Sequence, residues 1–155
     1  MARQRPAPRH LARKSARAAA NVVDSSGWLE YVDDGPNAGA FEPAILAVER
    51  LIVPTICLLE VFKRMLREKG EDAALEVVSQ MRQGLVVDLD ADLALEAGRL
   101  GLELKLPLAD SAIFATARLH AATLWTQDEH FDGMDGVCYI PRPVAHDVDL
   151  SDDRP

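Results

Sequence analysis

The stretch Asn21-Val22-Val23-Asp24-Ser25-Ser26-Gly27-Trp28-Leu29 decides the fold. A short apolar run ends in an acid, and serines follow where a helix would be capped. The same punctuation recurs along the chain. Leu51-Ile52-Val53, Leu85-Val86-Val87, Thr123-Leu124-Trp125-Thr126 and Val137-Cys138-Tyr139-Ile140 read as further strands. Between them the spacing predicts helices over 40–50, 54–69, 71–83, 90–104 and 110–120, with Gly70 stopping the second and Pro107 breaking the chain before the last. Asp33-Asp34-Gly35-Pro36-Asn37 reads as a loop. Short apolar strands alternating with amphipathic helices indicate an α/β domain, a central parallel β-sheet flanked by α-helices on both faces. That domain occupies residues 21–144, after a basic leader (1–20) and before an acidic tail (145–155).

A chain of 155 residues that is 48% hydrophobic can bury one sizeable core. Its longest nearly apolar stretch, Leu51 to Leu59, is interrupted by Pro54 and Thr55 and is too short for the ~18 residues of a membrane span. Cys57 and Cys138 lie in separate apolar runs, fit neither a disulfide framework nor a zinc pattern, and read as buried thiols of a reducing cytoplasm. Charge is unevenly placed. Arg3, Arg5, Arg9, Arg13, Lys14 and Arg17 give the leader six basic residues and no acid, so the net charge of −8 for the whole chain becomes −14 for residues 21–155. The leader lacks the apolar run of a secretory signal; it reads as disordered, either a nucleic-acid-contacting arm or translated sequence ahead of the true start. An acidic body is unusual for a nucleic-acid binder unless its acids are gathered to hold a metal.

Four acids stand where such a gathering would form. Asp24 ends the first strand and Asp128 closely follows the fourth, beyond which ligands bind in open parallel sheets. Each also has an ordinary role, Asp24 as a helix cap and Asp128 in an Asx turn. Glu60 interrupts an apolar helical run, where it either joins the site or pairs with Lys63 and Arg64 on the surface. Asp110 precedes an Ala-rich helix that implies close packing and draws it inward. Carboxylates brought together repel unless a cation neutralises them, and oxygen ligands favour Mg²⁺ or Mn²⁺.

The motifs resemble those of PIN-domain ribonucleases, in particular the VapC-type toxins of bacterial toxin–antitoxin pairs. The resemblance runs through Val22-Val23-Asp24-Ser25-Ser26-Gly27-Trp28-Leu29-Glu30-Tyr31, then Val53-Pro54-Thr55-Ile56-Cys57-Leu58-Leu59-Glu60-Val61, then Leu106-Pro107-Leu108-Ala109-Asp110-Ser111-Ala112-Ile113, and then Trp125-Thr126-Gln127-Asp128-Glu129-His130-Phe131. It implies a PIN fold and an Mg²⁺- or Mn²⁺-dependent endoribonuclease whose metal pocket is Asp24, Glu60, Asp110 and Asp128. Ser25 and Thr126 would orient those carboxylates, with Asp132 a weaker candidate, while His130 reads as a surface loop residue. The resemblance also implies a homodimer and a VapB-like antitoxin that lays an arginine among the acids.

Two rivals fit poorly. A haloacid-dehalogenase-like phosphatase needs a second acid where Ser26 stands, and a receiver domain needs a late lysine, whereas none follows Lys105. A PIN-like binding module without nuclease activity remains as the alternative. Lys63, Arg64, Arg67 and Lys69 form a dense basic cluster just after Glu60, either balancing a helix dipole or tracking phosphates. On the second reading Arg67→Glu weakens RNA binding severalfold without changing the circular dichroism spectrum; equal binding at all salt concentrations would remove that role.

Overall fold

In the computed structural model, residues 18–144 are described. Leader residues 1–17 and the tail 145–155 lie outside them. The chain forms β1 (Asn21–Val23), α1 (Ser25–Val32), α2 (Ala38–Leu46), β2 (Leu51–Pro54), α3 (Thr55–Lys69), α4 (Glu71–Met81), β3 (Leu85–Val87), α5 (Ala91–Leu104), α6 (Leu108–Leu119), β4 (Thr123–Thr126) and β5 (Val137–Tyr139). The five strands make one parallel sheet in the order β3-β2-β1-β4-β5. Building outward from β1 in both directions with right-handed crossovers puts α1–α4 on one face and α5–α6 on the other.

Burial follows the pattern that parallel sheets impose. β1 and β2 are buried along their whole length, whereas the edge strand β3 leaves Leu85 exposed. Each helix buries one stripe. α3 turns Cys57, Val61 and Met65 inward at four-residue spacing, and α4 turns Ala74, Val77 and Met81 inward at spacings of three and four. α6 is different: Ser111 to Ala117 are all buried, so this helix runs through the interior between α5 and the sheet. Phe41, Phe114, Phe131 and Trp28 are the largest fully buried side chains of the core.

Three helices differ in extent from the sequence reading. The helix expected over 40–50 begins earlier and ends at Leu46, because Ala47 turns out of the helical region (ψ 60°) and a 3₁₀ turn, Val48–Arg50, carries the chain into β2. The fourth-strand crossover helix begins at Leu108 rather than 110, since Pro107 sits at its cap and a fixed φ suits a helix entrance. α4 stops at Met81, two residues short of its expected end, and the chain turns through Arg82 towards β3. Gly70 does end α3, with φ 88° and ψ 175°, a conformation only glycine adopts without strain.

Gly27 is fixed by space rather than by dihedral. A Cβ there would stand 2.6 Å from Phe41 Cε1 and 2.9 Å from Val23 Cγ1, and both neighbours are fully buried. Overpacking of this kind costs about 1–3 kcal/mol. Gly27→Ala is expected to lower the urea midpoint accordingly, and a midpoint matching the wild type would refute the tight seat between α1 and α2.

Candidate active site

All strands of a parallel sheet end on the same side, so residues that follow them share one edge. There Asp24, Glu60, Asp110 and Asp128 line a single cleft of about 540 Å³. The four acids read from the sequence are therefore neighbours in space, although up to 104 residues separate the first from the last.

Asp24 is held most firmly. Its backbone N–H donates to the Trp125 carbonyl (2.9 Å), continuing the β1–β4 pairing by one residue. It occupies the cap position of α1, but its carboxylate makes no cap bond. Instead Oδ2 accepts from Thr126 Oγ1 (2.7 Å) and Ser26 Oγ (2.8 Å). Thr126 Oγ1 also accepts from the Asp128 N–H (3.0 Å), so one buried hydroxyl positions two of the acids. Ser25 Oγ donates to Glu60 Oε1 (2.7 Å). The surface pairing of Glu60 is not formed: among the described residues Glu60 has no ion pair, and Arg64 pairs with Glu68 at 2.6 Å.

Asp128 keeps its ordinary turn role, since Oδ1 accepts from the His130 N–H (3.0 Å) and starts a 3₁₀ turn, Glu129–Phe131. That turn swings His130 back. Its Nδ1 lies 2.9 Å from Asp128 Oδ1 and 3.2 Å from Asp110 Oδ2. The imidazole is half-exposed, as a surface reading requires, yet it faces the acids. Spacing gave a clue here: a residue two positions after an Asx-turn acid is folded towards it. Ser26 and Arg142, which also line the cleft, were not expected there. Asp132 is exposed after the turn and does not line the cleft.

Charge crowding is visible in proton affinities. Burial pushes the Asp24 carboxyl up, partly opposed by the hydrogen bonds from Thr126 and Ser26 and reinforced by the charge of Asp128. Burial also raises Asp110, to about 6, with the charges of Asp128, Asp24 and Glu60 adding to it and His130 opposing. Four mutually repelling carboxylates suit a divalent cation with hard-oxygen preference. Donor atoms of Asp110, Asp128 and His130 all lie within 4.8 Å of one another, close enough to share an ion. The donor set, mostly hard carboxylate oxygen, is of a kind that can hold a divalent cation.

Cations rim the same cleft. Lys63, Arg64 and Arg67 line it from α3, while Lys69 turns away to pair with Asp33. No described helix is long and apolar enough to cross a membrane.

The family model of the PIN domain matches residues 22–137. Solved structures of similar fold include a toxin–antitoxin complex from Klebsiella pneumoniae, 22% identical, TM-score 0.65, covering 77% of this chain and 96% of that one. Another is VapC20 of Mycobacterium tuberculosis, a toxin that cleaves the sarcin–ricin loop, 20% identical, TM-score 0.61, covering 72% and 92%. A third is DNA-bound VapBC of Salmonella typhimurium, 18% identical, TM-score 0.64, covering 79% and 98%. At these identities the likeness is one of fold. Comparison with curated protein sequences finds no match.

An Asp whose folded pKa lies above its unfolded value costs stability when both states are ionised, and the cost disappears as pH falls through the folded value. Without metal, Asp110→Asn is expected to melt a few degrees above wild type at pH 7.5, with the gap closing between pH 6 and 4. Equal melting temperatures at pH 7.5, with EDTA present, would show that ionised Asp110 costs the fold nothing, through burial or through its charged neighbours.

Proposed function

This chain belongs to the PIN-domain family, and from that premise we propose that it is a divalent-metal-dependent endoribonuclease, the toxin of a VapBC-type toxin–antitoxin pair. The observation that carries the reading is the cleft in which Asp24, Glu60, Asp110 and Asp128 converge with raised proton affinity at two of them. Mg²⁺ or Mn²⁺ bound there would polarise a phosphodiester oxygen and lower the pKa of a bound water. The chain's own groups do the positioning. Thr126 and Ser26 orient Asp24, Ser25 orients Glu60, and Asp128 is fixed by its backbone bond to Thr126. His130 Nδ1 stands within hydrogen-bond reach of Asp110 and Asp128 and completes that side of the cleft. Lys63 and Arg67 lie along the same cleft, where a polyanion would run.

The partners follow from the same reading: an RNA substrate, a VapB-like antitoxin over the acidic cleft, and a second copy of the chain as homodimer, all in the cytoplasm. The toxin–antitoxin assemblies among its fold relatives support the antitoxin.

The test is cleavage of total cellular RNA by purified, antitoxin-free protein in Mn²⁺ or Mg²⁺. Discrete fragments are expected from wild type, none with EDTA, and none from Asp24→Asn. Thr126→Val, which removes one donor from Asp24, is expected to slow cleavage about 10–100-fold. Equal cleavage by Asp24→Asn would overturn the four-carboxylate site. Mn²⁺ binding without any cleavage would favour a PIN-like binding module.

A further inference from the structure

Arg142 reaches the acidic cleft from a direction that none of the other cations uses. It follows β5, on the β4 side of β1, whereas Lys63, Arg64 and Arg67 belong to α3, which follows β2 on the other side of β1. Arg142 lines the acidic cleft, a smaller depression shared with Arg64, Ser26 and Gln127, and a hollow of about 440 Å³ with Asp128, Glu129 and Tyr139. Asp128 and Arg142 thus line both the acidic cleft and this hollow. Among the described residues Arg142 makes no ion pair, despite four carboxylates in the cleft it lines.

Its backbone is anchored where its side chain is free. The Ile140 N–H donates to the Thr126 carbonyl (2.8 Å), and Asn37 Nδ2 donates to the Pro141 carbonyl (3.0 Å). Pro141 fixes its own φ, and Pro143 confines Arg142 to extended backbone. Asn37 is itself held: Nδ2 also reaches Gln127 Oε1 (3.2 Å), and its N–H donates to Glu30 Oε1 (2.8 Å). Buried Gln127 then donates to Glu30 Oε2 (3.1 Å) and to the Ser26 carbonyl (3.3 Å). Ser26 in turn donates to Asp24. A continuous polar chain therefore runs from the acidic centre to the base of Arg142.

An unpaired guanidinium on an anchored backbone, beside a carboxylate cleft, offers its fork of donors to an anion. We propose that Arg142 is a substrate-binding residue that holds a backbone phosphate of the RNA strand next to the carboxylate cleft, with the Asn37–Gln127–Glu30 network keeping it there. The proposal rests on the ribonuclease reading above. The strand then meets cations from both sides of β1, α3 on one and Arg142 on the other.

The experiment titrates full-length protein into a fluorescein-labelled 12-nucleotide single-stranded RNA of mixed sequence, in Ca²⁺, over a series of KCl concentrations. Arg142→Gln is expected to bind about tenfold more weakly, with its log–log salt slope smaller by ~0.7. Arg142→Lys restores the slope and part of the affinity, and Asn37→Ala, which keeps the charge and frees its anchor, falls between wild type and Arg142→Gln. Unchanged affinity and slope in Arg142→Gln overturn the proposal while the ribonuclease reading stands. So does tighter binding, which would mark Arg142 as a guard on the cleft, and so does a loss with unaltered slope that lysine does not rescue. Wild type that neither binds this probe nor cleaves total RNA in Mn²⁺ overturns both readings.

Discussion

The pairing of β1 with β4 is the constraint on which the rest depends. Val23 sits opposite Trp125, and one residue further on the Asp24 N–H still donates to the Trp125 carbonyl. That register alone puts the Thr126 hydroxyl under the Asp24 carboxylate and the Asp128 N–H above the same hydroxyl. A slip by one residue would turn Thr126 to the other face of the sheet and strand a buried carboxylate without its strongest donor. The β1–β2 pairing acts likewise from the other side, fixing where α3 begins and so where Glu60 meets Ser25.

Such crowding has an energetic sense. Burial and mutual repulsion make Asp24 and Asp110 reluctant to ionise together with Asp128 and Glu60. The hydroxyls of Ser25, Ser26 and Thr126 relieve part of that cost but bring no positive charge. The cations of the cleft stay on its rim. This arrangement leaves the centre short of positive charge, which suits a cation.

Much of this was legible in the sequence, for reasons that differ by element. The strands were legible because apolar runs of three or four residues between amphipathic stretches have few other homes, and β1 and β2 are indeed buried throughout. The end of α3 was legible because Gly70 does what only glycine does. The helix over 40–50 was misjudged at both ends, since no glycine or proline marks Ala47, where the chain leaves the helix. The acids could be named singly, and the strand-end positions of Asp24 and Asp128 suggested that they meet, whereas Glu60 and Asp110 were drawn in by helix patterns that also fit ordinary roles. Contacts such as Asn37 to Pro141, separated by 104 residues, leave no local trace, and neither does the placement of Arg142.

The span of the polar chain from Asp24 to Arg142 also has a consequence in time. Strands β1 and β2 and helix α3 emerge early from the ribosome, and Asp24 and Glu60 emerge with them. Thr126, which bonds Asp24, and the cleft acids Asp110 and Asp128 lie far downstream, so the nascent chain carries half a cleft while most of the domain is being made. The centre closes only when the last two strands join the sheet. The order of synthesis thus keeps the two halves of the cleft apart until the C-terminal strands have been made.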